Sequence, residues 1–426
     1  EEIGYKTDLK KRVLKPLQDP DTDNLITSMA GKKDLSERVK LELMQKSAGN
    51  PFYIEEWMQL IKDMPETEEL PIPDSLNALI LTRIDNLDKN IKLLLQKASV
   101  IGKEFPEKIL IEIEKKLNNS QQISDHLKFL ETNAFVVKNL KTEYSSYFFK
   151  HILIQEVAYK TMLIANRRTL HRITAEVIEE HFIETIEEHY YDLAYHFEQA
   201  EVADKAIEYL EKAGDNAREN YENINAINCY NRLLKIATDE LKITDLNHSQ
   251  HLIVKHLLIE TLLKIGHIHL LIGKWSDAIE FFKNALKLSK EIEEKEWIAK
   301  SIFSVGLQYS LQGRYEKAIE CYQKQLIICE EIGDKRGIST SAGNLGDVYR
   351  YQGNYGKAME CYQKQLIINE DICYKNGIST TFGGMGNVYW NQGNYEKAME
   401  CYQKQLIINE EIGYKREIGI AVGHMG

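Results

Sequence analysis

The sequence predicts a mainly α-helical fold that ends in an α-solenoid, and three observations lead to this prediction. The octapeptide Cys-Tyr-Gln-Lys-Gln-Leu-Ile-Ile begins at Cys321, Cys361 and Cys401, so it recurs every 40 residues. A fixed period of this size is typical of stacked helical units rather than of one globular core. All 7 prolines lie at or before Pro106, so none interrupts a helix beyond that point. Small and large residues also keep one phase in every copy of the period.

This phase predicts a pair of antiparallel helices in each unit. Ala358, Tyr362 and Leu366 are spaced by four residues, so they share one helix face. Gly346 lies on the preceding helix, where the missing side chain lets a neighbouring helix approach. Gly353 suits the left-handed residue that ends a helix. Weaker copies of the pattern extend towards the N-terminus, and the last residues, 423–426, resemble the first helix of a further repeat cut short, so a fragment of a longer protein is expected.

The pattern Leu-Gly-x-x-Tyr followed by Gly-x-Tyr-x-x-Ala-x-x-x-Tyr resembles the tetratricopeptide repeat in a 40-residue form. Gln365 departs from the family, which usually has alanine there, and the extra residues of each unit, such as Glu331–Gly337, are expected to lengthen the connection between units.

The resemblance to the tetratricopeptide repeat implies that the first helices line a concave groove for a protein or peptide ligand. Amide and aromatic side chains there suit peptide binding and anchoring. The residues expected to face the partner are Asn344, Asp347, Arg350, Tyr351, Asn387, Trp390 and Asn391. The alternative for each of them is a solvated helix face.

The N-terminal 190 residues form a different kind of sequence. Before a proline-rich acidic linker at Met64–Asp74, the pattern predicts a strand at Lys11–Leu17 and helices from about Asp21 and over Ser36–Ser47. After the linker it predicts helices, then two strands, then one long helical run, at Leu76–Leu87, Ile91–Ile101, Ser124–Thr132, Ala134–Val137, Tyr144–Phe149 and Ile152–Glu188. Helices followed by a small hairpin resemble a winged helix.

The order of these segments resembles the signal transduction ATPases with numerous domains, the STAND class, of the type attached to bacterial class III adenylate or guanylate cyclases or to protein kinases. The segments that carry the resemblance are Gly49–Phe52 with Glu55–Glu56, Ile72–Leu76, Arg83–Leu87, Ala98–Phe105, Phe149–Tyr159 and Leu193–Phe197. The resemblance implies the C-terminal part of an AAA+-related ATPase domain with its helical lid at 1–64, a winged-helix-like and connecting region at 65–185, divergent tetratricopeptide-like pairs at 186–300, and regular repeats at 301–426.

The same resemblance implies an incomplete nucleotide site. Gly49, Asn50 and Pro51 match a Gly-x-Pro element whose proline packs on the base of ADP or ATP, and His151 matches a winged-helix histidine that contacts phosphates in some relatives. The alternatives are that Pro51 only starts a helix and that His151 is satisfied within a core.

No Gly-x-x-x-x-Gly-Lys-Ser/Thr loop occurs in this chain, so it lacks the amides and the hydroxyl that hold phosphates and magnesium. We therefore expect no enzyme activity, no catalytic residue and no cofactor in this chain, with ATP or ADP and magnesium bound by a full-length parent. His171, His181, His189 and His196 are predicted to lie on one helical stretch, where only His189 and His196 share a face, so no metal site is expected.

Composition sets the remaining expectations. The net charge is −11, from 54 basic and 65 acidic residues, which argues against nucleic acid and anionic membranes as partners. DNA reading through Arg167, Arg168 and Arg172 is the weaker alternative. The 6 cysteines contain no Cys-x-x-Cys pair and are expected to be reduced, in a cytoplasmic protein.

These patterns lead to one hypothesis and two alternatives. The hypothesis is a fragment of a signal-transduction ATPase whose repeats bind a protein partner and regulate an upstream NTPase or effector domain. The alternatives are a non-catalytic scaffold and the regulatory half of a nucleotide cyclase or protein kinase. Self-association is left open.

Overall fold

The computed structural model describes residues 15–30, 35–62, 72–117, 123–139, 145–242 and 246–413. It divides into two compact units, Glu1–Ala206 and Ile207–Gly426. Most of the predicted strand at Lys11–Leu17, the linker up to residue 71 and the shortened last repeat lie outside the described residues. The region boundaries implied by the STAND resemblance stay predictions.

The N-terminal unit is built mainly from α-helices. They are α1 (Asp19–Ala30), α2 (Glu37–Ser47), α3 (Pro51–Ile61), α4 (Leu76–Asp85), α5 (Lys89–Ile101), α6 (Glu107–Lys116), α7 (Ile123–Thr132), α8 (Ile152–Lys160), α9 (Ile164–His181) and α10 (Tyr190–Gln199), with a 3-10 helix at Ile183–His189. Helix α11 (Ala203–Glu219) spans the division between the units.

Helices α1 to α3 enclose a first core around the fully buried Trp57, Leu43 and Ile26. The sequence starts α2 and α3 with side-chain caps, since Ser36 accepts a hydrogen bond from the Val39 amide. The Asn50 side chain accepts a hydrogen bond from the Phe52 amide, and proline occupies the first turn of α3.

A second core in this unit contains a three-stranded antiparallel sheet. Its strands are β1 (Glu104–Pro106), β2 (Val136–Asn139) and β3 (Ser146–Phe149), in the order β1-β3-β2. The predicted hairpin is confirmed, whereas β1 and α6 were missed. Strand β1 has only three residues and ends in proline, which leaves no alternating pattern to detect.

The single helical run predicted for Ile152–Glu188 is wrong. Helix α8 ends at Lys160, and Leu163 is extended, with φ −62° and ψ 146°. Helix α9 ends before Phe182, whose φ of −112° and ψ of 34° are not helical. No proline or glycine marks either break, so the sequence pattern alone runs through both.

The C-terminal unit stacks helical pairs. After α11 they are α12 (Asn223–Glu240), α13 (His248–Leu271), α14 (Trp275–Glu291), α15 (Lys295–Leu311), α16 (Tyr315–Ile332), α17 (Lys335–Tyr351), α18 (Tyr355–Asp371), α19 (Lys375–Asn391) and α20 (Tyr395–Glu411). The expectation that the extra residues lengthen the connection between units is wrong. They lengthen the helices, so that only Gly333 and Asp334 join α16 to α17.

One contact sets the approach of the two helices in every pair. A glycine of the first helix lies against an aromatic ring sixteen residues later on the second helix. The contacts are Gly214–Tyr230, Gly266–Phe282, Gly306–Tyr322, Gly346–Tyr362 and Gly386–Tyr402. The divergent pairs therefore pack as the regular ones do. No helix among the described residues has the length and apolar character needed to cross a bilayer.

Candidate functional site

The first helices of the regular repeats line two neighbouring cavities in the C-terminal unit. One, of about 460 Å³, lies over α17 and α19. The other, of about 450 Å³, lies over α13, α15 and the start of α17. Thr340 lines both, so the cavities are adjacent, and together we call them the first-helix groove.

Three of the predicted partner-binding residues, Asn344, Asp347 and Asn387, line the first-helix groove. Each is half-buried and already makes a contact within the fold. The Asn344 amide donates to the Thr340 carbonyl oxygen at 2.7 Å, one turn earlier on its own helix. Each therefore has only part of its hydrogen-bonding capacity left for a ligand.

Asp347 and Asn387 are held by tyrosines of the second helices. The Tyr362 hydroxyl donates to Asp347 Oδ1 at 2.7 Å, and the Tyr402 hydroxyl donates to Asn387 Oδ1 at 2.8 Å. Burial, with the nearby Asp347 carboxylate, raises the pKa of Tyr362 above its ordinary value, so this hydroxyl stays protonated and remains a donor. The same contacts fix where Asp347 and Asn387 present their remaining atoms.

The other four predicted residues lie at the C-terminal ends of α17 and α19, outside the lining of the groove. Tyr351 is 57% exposed, and its ring stacks on Tyr315 with the centroids 6.0 Å apart. Trp390 is 51% exposed and meets Tyr395 edge-on at 4.9 Å. Asn391 is exposed. The predicted partner-binding residues therefore lie in two places, the groove and the C-terminal ends of α17 and α19.

Arg350 contacts both Asp347, which lines the groove, and Tyr351, at the C-terminal end of α17. Its Nη2 lies 3.5 Å from Asp347 Oδ1, and its guanidinium lies over the Tyr351 ring, 4.3 Å from the centroid. The buried Nε atom of Arg350 has no hydrogen-bond partner.

Sequence reasoning noticed Gln365 but missed its place in the groove. Gln325 lines the cavity over α15, and Gln365 and Gln405 line the cavity over α17 and α19. Gly343 faces the Gln365 amide and Gly383 faces the Gln405 amide, so there is no side chain where each glutamine enters. The signal was present in the sequence, because glutamine and glycine both recur at 40-residue intervals.

The N-terminal unit brings the two predicted nucleotide-binding elements together. Gly49 is left-handed, with φ 73°, and its carbonyl oxygen accepts from the Leu17 amide at 2.8 Å, while Pro51 is exposed at the start of α3. The His151 ring stacks on Phe52, directly after Pro51, with the centroids 4.0 Å apart. His151 also caps α8, because its Nδ1 accepts from the Leu153 amide at 3.2 Å.

The predicted histidine stretch is wrong, because its members lie on α9, the 3-10 helix and α10. His171 and His196, which were not paired in the prediction, meet with their Nδ1 atoms 2.9 Å apart. His189 instead packs on the Phe182 ring, with the centroids 4.1 Å apart. Among the described residues, no group of three or more histidine, cysteine or acidic side chains is arranged to hold a metal ion.

Comparisons with known proteins agree with the geometry of the C-terminal unit. Residues 261–296, 297–366 and 380–411 match the tetratricopeptide repeat family. The C-terminal unit contains tetratricopeptide repeats. This fold is typically a non-catalytic binding fold. No curated protein sequence matches the chain.

Several solved structures are similar to the chain. BtubC (BKLC) from P. vanneervenii is 20% identical, with a TM-score of 0.43 over 55% of this chain and 92% of that one. A STAND protein with a tetratricopeptide repeat sensor from Pyrococcus horikoshii is 14% identical, with a TM-score of 0.40 over 96% of this chain and 63% of that one. The Rap conjugation gene regulator of plasmid pLS20, in complex with the Phr* peptide, is 14% identical, with a TM-score of 0.45 over 78% of each chain.

Proposed function

We propose that the tetratricopeptide repeats of this chain bind a protein or peptide partner along the first-helix groove. The observation that carries the proposal is the adjacency of the two cavities that make up the groove. Its two cavities, of about 450 and 460 Å³, share Thr340 and run across α15, α17 and α19. Clefts of this size that combine apolar and convergent polar side chains are the usual form of a binding site.

We further propose that this binding regulates an ATPase of the STAND class in the same polypeptide. The sheet and helices of the N-terminal unit suit the winged-helix-like region that the sequence resemblance implies. Pro51 is exposed beside the Phe52–His151 stack, so its ring suits contact with a nucleotide base. The chain has no phosphate-binding loop of its own, and a bound nucleotide would bring its phosphates and magnesium to residues encoded before residue 1.

The Glu55–Lys150 ion pair, at 3.1 Å, joins α3 to the residue before His151. It is a second contact, beside the Phe52–His151 stack, between the two predicted nucleotide-binding elements. The six cysteines, all within the described residues, form no disulfide bond, which fits the reducing cytoplasm that we propose for the protein.

The test of partner binding uses the full chain with substitutions in the groove and on the outer face. Proteins captured from a lysate of the source cells are identified, and the affinity of the purified partner is measured by calorimetry. Asn344→Ala with Asn387→Ala should weaken binding at least tenfold, whereas Ile367→Ala, on the exposed face of α18, should not. Equal loss from both variants would contradict binding in the groove.

A separate test addresses the ATPase. The gene sequence upstream of residue 1 should encode a Gly-x-x-x-x-Gly-Lys-Ser/Thr loop within roughly 250 residues, the order of one domain. If no such loop is encoded, the scaffold alternative replaces the ATPase proposal and the partner-binding proposal stands.

A further inference from the structure

A row of glutamine side chains enters the first-helix groove from the second helices. Gln325, Gln365 and Gln405 occupy the same position in three successive repeats. Gln325 and Gln405 are only 5% and 4% exposed, and the buried Oε1 atom of each has no hydrogen-bond partner. A buried acceptor without a donor is unfavourable, and native structures seldom keep one without a use. We call these three residues the glutamine ladder.

In each glutamine of the ladder, a half-turn about the last side-chain bond exchanges the positions of the amide oxygen and the amide nitrogen. This torsion is broad and roughly two-fold, so either atom can be turned towards a ligand. A primary amide therefore offers one acceptor and two donors at each step of the groove. An extended peptide backbone offers alternating N–H and C=O groups, whereas a helical ligand has satisfied these groups internally.

The side chains at the bottom of the groove, its floor, are aromatic over α15, whereas glycines form the floor over α17 and α19. Trp297 and Phe303, with Leu263 beside them, line the cavity over α15. Forty residues after Phe303, the equivalent position is Gly343, and Gly383 follows one repeat later. A Cβ at Gly383 would lie 2.8 Å from Gln405 Nε2, so the glycine leaves the amide room to lie on the floor. One half of the groove suits a bulky apolar side chain, and the other suits a peptide backbone with small side chains.

The charges that line the groove are mostly acidic. Among the described residues that line the two cavities, Lys300 is the only lysine or arginine, against the carboxylates of Glu260, Glu296, Asp334 and Asp347. Ion pairs with Lys300, Lys264 and Arg350 partly neutralise three of these carboxylates. The acidic excess that is left disfavours an acidic ligand.

We propose that the first-helix groove binds an extended, non-acidic peptide through its main chain. This inference rests on the proposed partner binding and states the class of ligand. The glutamine ladder pairs with the peptide N–H and C=O groups. The pocket formed by Trp297, Phe303 and Leu263 takes one large apolar side chain, and the glycine floor at Gly343 and Gly383 takes small residues.

Helix and strand dimensions set the spacing. Successive first helices, such as α17 and α19, are in direct contact. Helices in direct contact lie about 8–10 Å apart, and an extended peptide advances about 3.4 Å per residue. Each repeat therefore covers roughly three peptide residues, and the small residues begin about three positions from the apolar one.

The test measures binding of fluorescein-labelled nonapeptides to the full chain by fluorescence anisotropy. The probes are alanine and serine peptides with one phenylalanine, placed at each position in turn. The best probe is then compared with three derivatives: one with alternate amides N-methylated, one with phenylalanine replaced by serine, and one with two alanines replaced by aspartate. We expect each derivative to bind at least tenfold more weakly.

Two substitutions within one octapeptide separate the ladder from the outer helix face. Gln405→Met removes the amide but keeps the side-chain length, and it should leave the melting temperature equal or higher because no hydrogen bond of Oε1 is lost. It should weaken the best probe at least fivefold and reduce the effect of N-methylation. The matched control is Gln403→Met, two residues away and exposed, which should change neither.

Two results would overturn the inference. One is an N-methylated probe that binds as tightly as its parent. The other is no binding of any probe at 1 mM, about the weakest affinity of interest for a peptide site. Either result leaves the proposed function intact if the purified partner still loses affinity for the Asn344→Ala, Asn387→Ala variant. Only the proposal that the groove binds a peptide through its main chain then fails.

Discussion

Gly346 of α17 lies against the ring of Tyr362 on α18, and a Cβ at this glycine would be 2.8 Å from the ring carbon Cε1. Real side chains do not make carbon contacts that short, so the glycine is what allows the two helices to approach. Gly384 of the next repeat also lies against this ring. One tyrosine therefore sets both the spacing within a repeat and the spacing to the next.

The first prediction concerns this contact. Gly346→Ala should lower the free energy of unfolding of the C-terminal unit by about 1–3 kcal/mol, because the added methyl group overpacks the helix pair. Gly356→Ala is the matched control, since nothing lies within 4 Å of its Cβ position on α18. The control should be neutral or stabilise the helix by up to about 1 kcal/mol. Urea unfolding followed by circular dichroism measures both. Equal midpoints for the two variants would contradict the role given to Gly346.

The second prediction concerns the Tyr362 hydroxyl. Tyr362→Phe removes the hydrogen bond to Asp347, at 2.7 Å, and should cost about 1–2 kcal/mol in the free energy of unfolding. Tyr322→Phe should cost less, because the residue equivalent to Asp347 in that repeat is Leu307, which accepts no side-chain hydrogen bond. The same urea titration compares the two. An equal loss would show that the hydroxyls act through some other contact.

The third prediction concerns the buried histidine pair of the N-terminal unit. Burial lowers the pKa of His171 to about 4, helped by the nearby Arg167, and lowers the pKa of His196 to about 3, helped by His171. Both rings are neutral in the folded chain, so one Nδ1 donates to the other, and the Tyr159 hydroxyl lies 2.9 Å from His171 Nε2.

The sign of the pH effect follows from these values. In the unfolded chain both histidines take up protons near pH 6.5, whereas in the folded chain they do so only near pH 4 and 3. The pair therefore stabilises the fold fully above pH 6.5, and this stability is lost as pH falls towards those values, by up to about 1.4 kcal/mol per pH unit for each histidine. Urea midpoints measured between pH 7 and 4.5 should fall accordingly. The double variant His171→Gln, His196→Gln should show a shallower dependence, and an unchanged slope would count against the pair.

The fourth prediction concerns a buried ion pair. Arg83 binds Glu56, which is fully buried, and also donates to the Asn133 carbonyl oxygen at 2.6 Å. Burial raises the pKa of Glu56, although Arg83 opposes this by favouring the charged form. Arg83→Met leaves the carboxyl group without its partner and should cost about 3–5 kcal/mol.

The matched control breaks the exposed ion pair made by Glu55, the neighbour of Glu56 on α3. Lys150→Met removes the partner of Glu55, at 3.1 Å, and should cost less than about 1 kcal/mol. Thermal unfolding of the N-terminal unit distinguishes the two variants. A loss of similar size from both would mean that burial of Glu56 matters less than its contacts indicate.

The sequence alone was sufficient wherever the deciding contact repeats within a short stretch of chain. The helix pairs, the glycine that ends each first helix and the glycine beneath each ring all lie within one 40-residue period, so periodicity reveals them. Gly353 has the expected left-handed φ of 74°. The two strands predicted at Ala134–Val137 and Tyr144–Phe149 were detectable for the same reason, because each stretch contains a short local run of apolar residues, and the structure places them at Val136–Asn139 and Ser146–Phe149.

The tertiary structure decided the features that depend on residues far apart in the chain. His171 and His196 meet only because α9 and α10 pack together after a break that no proline or glycine marks. The amide of Gln405 lies in the groove because Gly383, on the preceding helix, leaves room for it. The periodicity of the sequence shows which residues share a helix face. It does not show which face of another helix they pack against. That packing decides whether an amide is buried without a partner or a histidine is buried in its neutral form.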